Sequence, residues 1–81
     1  MKVILLFPSI HYVLKAEKVL KKEGLKLDLV PVPKEVSSDC GMALEIEKEA
    51  LALVLKKLAL ANLRPSSCQE KTPEGYREIH T

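Results

Sequence analysis

The chain has no tryptophan, and its aromatic residues are only Phe7, Tyr12 and Tyr76. The stacking platform that usually holds single-stranded nucleic acid is therefore missing. Charge is nearly balanced at a formal +2, so no basic excess argues for nucleic acid either. Long apolar runs are also absent. Met1 to Phe7 breaks at Pro8 with no small-residue cleavage site after it, and Ala50 to Leu63 is interrupted by Lys56 and Lys57. That segment falls short of the roughly 20 residues a membrane helix needs. Neither a membrane span nor an export signal is expected. The two cysteines are then expected in a cytoplasmic setting, where thiols stay reduced.

Several kinds of chemistry lack their signature. There is no phosphate-binding glycine loop, no paired carboxylate site and no serine triad pattern. Cys40, Cys68, His11 and His80 do not show the paired ligand spacing of a structural zinc site. No metal or cofactor is expected.

What is present suits one small domain: 81 residues, 47% hydrophobic and 30% charged. A chain of this size needs a compact two-layer core. Val3 to Phe7 is continuously apolar and bounded by Pro8, which predicts a central strand buried on both faces. Ser9 is placed to N-cap a helix running to about Glu23, with Gly24 as its left-handed stop. Ile10, Val13, Leu14, Ala16 and Leu20 form one arc of that helix, and His11, Lys15, Lys18 and Lys22 another. The basic stripe is either a solvated face or a docking face for an acidic partner.

Leu25, Leu27 and Leu29 alternate with charged residues and predict a strand reaching about Val32. Pro31 and Pro33 lack amide donors, so this strand belongs at an edge. Met42, Leu44 and Ile46 alternate again, as a third strand or as the start of a helix at Gly41. Glu47, Lys48 and Glu49 read as the acidic opening of a second helix that continues to Leu63. Leu51, Leu55, Leu58 and Ala59 are expected to pack on the sheet. Leu53, Leu60 and Leu63 are left for a second contact surface, which predicts a homodimer through the 47–63 helix. From Arg64 onward the composition becomes polar. Residues 64–81 read as a C-terminal tail to a 1–63 domain, and Tyr76 to Ile79 either adds a short edge strand or stays mobile.

This order is that of a mixed α/β, ferredoxin-like split βαβ sandwich, a small antiparallel sheet with both helices on one face. The topology brings the loop between the second and third strands, the Ser9 helix terminus and the Cys68 segment to one end of the sheet. In that loop Ser37, Ser38 and Asp39 can turn their oxygens onto nearby amides, and Gly41 tolerates positive φ or a close backbone approach. Cys40 is thereby presented on a short polar turn. Its alternatives are a buried, inert thiol, or a reactive one whose thiolate is favoured by the helix terminus, Ser9 and His11 and opposed by Asp39. His11 is the one candidate base, or else an ordinary helix-surface residue. Cys68 is a possible resolving thiol for Cys40, or an incidental one.

Phe7-Pro8-Ser9, the helix with His11, Leu14 and Glu17, and above all Pro31-Val32-Pro33 leading to Val36-Ser37-Ser38-Asp39-Cys40-Gly41 resemble the small bacterial domains described as selenium or sulfur carrier protein-like. The resemblance covers roughly the first 60 residues. It implies that Cys40 is a carrier thiol, holding sulfur or selenium as a persulfide-type adduct between donor and acceptor proteins. The function it implies is that of a carrier more than a stand-alone enzyme. The competing expectation is a non-catalytic binding or assembly module with a structural cysteine.

Overall fold

A computed structural model of the chain describes residues 1–34, 36 and 41–79. Its elements are β1 (Lys2–Leu6), α1 (Ile10–Lys22), β2 (Asp28–Pro31), β3 (Met42–Glu47), a 3-10 turn (Lys48–Ala50), α2 (Leu51–Leu60), β4 (Ser67–Thr72) and β5 (Gly75–Ile79). The sheet runs β2-β3-β1-β4-β5 and every pair is antiparallel. This is the ferredoxin-like arrangement expected, extended by a fifth strand.

β1 is central because it is apolar on both faces. Val3 and Leu5 join Val13, Ala16 and Leu20 of α1 and Val54 and Leu58 of α2 in the main core. Ile4 and Leu6 point the other way and are covered with Ala43 by Val30, Val32, Val36 and Tyr76. One face of the sheet thus carries the helices, and the other carries a smaller apolar cluster. β2 is an edge strand, paired only with β3, as its proline requires. Of the two readings for residues 42–46, the strand is the one observed.

Both helices end on the same device. Gly24, at φ 77°, follows α1, with Leu25 N–H donating to Leu20 O at 3.1 Å and Gly24 N–H to Lys21 O at 3.0 Å. Asn62, at φ 59°, follows α2, and Leu63 N–H donates to Leu58 O at 2.9 Å. This left-handed termination turns Leu63 inward onto the helix it leaves.

Several expectations are corrected. Ile10 and Leu14 are 46% and 48% exposed, because the core-facing arc of α1 centres on Val13, Ala16 and Leu20 and leaves them on its flank. The second helix does not open at Glu47. That residue closes β3 opposite Lys2, to which it is salt-bridged at 2.6 Å, and Lys48 N–H extends the pairing to Met1 O. Val54 and Leu58 supply the packed face of α2, with Leu51 and Leu55 half-buried and Ala59 exposed. Leu63 is 3% exposed and leaves the outer surface to Leu53 and Leu60.

The largest difference is β4. Ser67 to Thr72 is a strand beside β1, where the sequence reads as polar tail, and Tyr76 to Ile79 pairs outside it as part of β5. Cys68 and Glu70 face the core, and Glu70 is 2% exposed. Its carboxylate accepts from Lys48 Nζ at 2.7 Å and from an Arg77 guanidinium nitrogen at 3.0 Å. These two cations hold its pKa below the usual carboxylate value, against the opposing effect of burial. A paired glutamate therefore occupies a site that a hydrophobic pattern would have marked with leucine or valine.

Candidate functional site

Antiparallel order brings the last residues of β1, β2 and β5, the first residues of β3 and β4, the start of α1 and the end of α2 to one end of the sheet. The connection between β2 and β3 leaves and returns there. Its base follows from the proline pair. In Pro31-Val32-Pro33 only Val32 has an amide proton, and that N–H donates to Gly41 O at 3.3 Å, one step beyond the Pro31–Met42 pair. Pro33 cannot extend the ladder. Its carbonyl instead accepts from Val36 N–H at 3.0 Å, and the Val36 side chain packs on the cluster of Ile4, Leu6 and Ala43. The connection is thus clasped at its root and anchored on the helix-free face. Val32 and Val36 do this; both stand in the motif that carries the family resemblance, but no site role is expected of either from the sequence.

The expected carrier thiol Cys40, with Ser37, Ser38 and Asp39, lies outside the described residues, as does His80. Of the other expected site residues, Gly41 is exposed at the root of the connection. It has no positive φ, and a Cβ there would meet no described atom within 4 Å, so neither reason expected for glycine operates among the described residues. Ser9 is half-buried and N-caps α1 by position, in an extended conformation. Its carbonyl accepts from Tyr12 and Val13, while its hydroxyl makes no capping bond. Continuing the β1–β3 register past Leu5–Leu44 sets Pro8 level with Gly41. The start of α1 and the root of the connection therefore lie at the same end of the sheet, and a helix start without acidic residues in its first turn favours anions. His11 is exposed on that first turn, its ring edge-on to Tyr12 at 5.8 Å.

Cys68 is a core residue. It is 3% exposed, paired with Leu5 on one side and Ile79 on the other. Burial, with Glu78 adding to it, pushes its thiol pKa up and disfavours the thiolate. From strand spacing and rise, Cys68 stands about 14 Å from Gly41, two strands across and three residues along. Disulfide partners need Cα atoms within about 7 Å. Burial disfavours the attacking thiolate that a resolving role needs, and Cys40 itself lies outside the described residues. Beside Cys68 an open groove of ≈ 580 Å³ runs between α2 and β5, with Leu55, Leu63 and Ile79 among its walls and Arg64 at its rim. Among the described residues, no three His, Cys, Asp or Glu side chains are grouped to hold a metal ion. No helix among them is long and apolar enough to cross a membrane.

The fold and site together define a small α/β sandwich that clasps a cysteine-bearing connection at one sheet end. The chain belongs to the family described as "Putative Se/S carrier protein-like", which matches residues 2–70. The match reaches into β4 and stops short of β5. Searches of curated proteins and of solved structures find no match. The family's description points to a carrier, and a carrier works with other proteins.

Proposed function

We propose that the chain carries sulfur or selenium on Cys40. The observation that carries this reading is the family membership across residues 2–70. The clasp from Val32 to Gly41 supports it, because it holds the chain immediately after Cys40 at the sheet end where α1 starts. For sulfur, the Cys40 thiolate attacks the terminal sulfur of a donor persulfide. The donor's S–S bond breaks, its thiolate leaves, and Cys40 holds the atom as a persulfide. On delivery an acceptor thiolate attacks the same terminal atom and the Cys40 thiolate departs. Neither step needs an external oxidant or reductant. Ser9, His11 and the amides at the start of α1 favour the anionic forms. A reducing, cytoplasmic setting keeps Cys40 available between transfers.

The chain is incubated with a cysteine desulfurase and cysteine, and its intact mass is measured. Wild type and Cys68→Ser gain one sulfur atom, and Cys40→Ser does not. Absence of the adduct from wild type, or its persistence in Cys40→Ser, refutes the reading.

The second reading, an assembly module with a structural Cys40, rests on the exposed Leu53 and Leu60 of α2. A homodimer through that helix retains these two contacts and loses Leu63. Thiol titration of the folded chain separates the readings, since a structural Cys40 reacts only on unfolding.

A further inference from the structure

Apart from Met1, the large apolar side chains left exposed are Ile10, Tyr12, Leu14, Leu53 and Leu60, all of them on the two helices. The helical layer is also where charge is least compensated. Glu17 is paired with Lys21 at 3.3 Å, and Glu23, which caps α1, reaches Lys57 at 3.1 Å. α2 contains no carboxylate. Lys15, Lys18, Lys22 and Lys56 are exposed and have no ion-pair partner among the described residues.

The positions of these residues make one surface. Lys15, Lys18 and Lys22 follow helical spacing on the side of α1 opposite Val13, Ala16 and Leu20, and Lys56 stands opposite Val54 and Leu58. The Glu23–Lys57 pair marks the seam between the helices. Leu53 and Leu60 flank Lys57 on α2, and Tyr12 shares the Glu23 side of α1. Leu53 and Leu60 are seven residues apart, about 10 Å along the axis, which is the repeat of apolar residues on an amphipathic helix. Tyr12 and Leu60 lie at the sheet end from which the β2–β3 connection leaves.

We propose that the outer surface of the two-helix layer docks an acidic, amphipathic helix of a partner protein, its apolar residues on Leu53, Leu60 and Tyr12 and its carboxylates on the unpaired lysines. Charge selects this occupant. A second copy would set an unpaired basic face against itself, which costs free energy. Insertion into a membrane needs apolar residues outermost, and here the lysines are outermost. That the partner is the donor or acceptor of the carried atom rests on the carrier reading. The docking itself does not.

The test is an amide NMR titration of the full chain with a synthetic helix of about four turns, leucine along one face and glutamate on its flanks. A glutamine-for-glutamate peptide serves as the control. Saturable shifts are expected at Tyr12, Leu53 and Leu60, with affinity falling about tenfold between about 50 and 300 mM salt. The triple variant K15E/K18E/K22E binds at least about tenfold more weakly, and Lys71→Glu on the far face of the sheet binds as wild type does. Four results would overturn the proposal: no saturable shifts, equal binding of the control peptide, self-association through the same residues without peptide, or sedimentation of the chain with phosphatidylglycerol vesicles. Peptide binding without persulfide formation removes the carrier reading and leaves the docking surface. Persulfide formation without peptide binding does the reverse.

Discussion

The two sides of the sheet are held by different physics. On the β2–β3 side, Leu44 and Ile46 face the helices and Ala43 the second cluster, and a lone amide between prolines closes the connection. On the β4–β5 side the strand next to β1 is polar, and a buried carboxylate is satisfied by one cation from the 3-10 turn and one from β5. Apolar burial carries no titrating group and is not screened by salt, whereas a paired carboxylate is sensitive to pH and to screening. The site is clasped on the apolar side. The ion pairs secure the β4–β5 side, which carries Cys68 and where no carrier chemistry is proposed.

The largest effect expected is from Leu44→Ala, which empties a fully buried position beside β1. A loss of about 3 kcal/mol in urea unfolding is expected. A loss below about 1 kcal/mol would mean that the β2–β3 side is not held by its apolar contacts.

Val32→Pro removes the one amide donor between the two prolines together with half-buried packing. We expect a loss of about 2 kcal/mol and faster amide exchange at Gly41 and Met42. Exchange unchanged there would show that the clasp does not hold the connection.

The comparison sharpens under acid. The folded pKa of Glu70 lies below its ordinary 4.5, first through Lys48 and then through Arg77. Its contribution is therefore present above pH 4.5 and is lost as pH falls through the lower folded value. In Glu70→Gln, unfolding measured from neutral pH downward should show a shallower loss of stability over that window. Parallel curves for the two proteins would remove Glu70 from the account of that side of the sheet.

The smallest effect is local. Asn62 stands at φ 59°, where glycine is free of side-chain strain, so Asn62→Gly should alter stability by about 0.5 kcal/mol or less while Asn62→Ala costs about 1 kcal/mol. Thermal melts of the two variants that coincide would show that the turn relaxes around the substitution.

The same contrast decides what was legible in the sequence. β1, β2 and α1 announce themselves through apolar periodicity, and Pro31 with Pro33 identifies an edge, while the alternation over 42–46 fits a strand or a helix start and only the sheet decides for β3. β4 does not, because its core-facing residues are Cys68 and Glu70 and the cations that make Glu70 acceptable come from Lys48 and Arg77, distant in sequence. Glu47 to Glu49 misleads at the start of α2 because acidic residues suit a helix terminus, yet Lys2 across the sheet claims Glu47 for the strand. At the other end of α2 a left-handed asparagine stops the helix before Leu63. For the site, the gathering of Ser9, Gly41 and Cys68 at one sheet end follows from element order alone. The burial of Cys68 does not, since it depends on β4 and on Ile79 of β5.

The most direct measurement of the central claim is peptide mapping of the loaded chain. After incubation with a cysteine desulfurase and cysteine, the persulfide is trapped by alkylation and the protein cleaved after lysine, which separates Cys40 and Cys68 onto residues 35–48 and 58–71. The transferred sulfur should be found on residues 35–48 and should leave that peptide when an acceptor thiol is added before trapping. Label confined to residues 58–71, or label on residues 35–48 that an acceptor thiol cannot remove, would contradict the carrier role of Cys40.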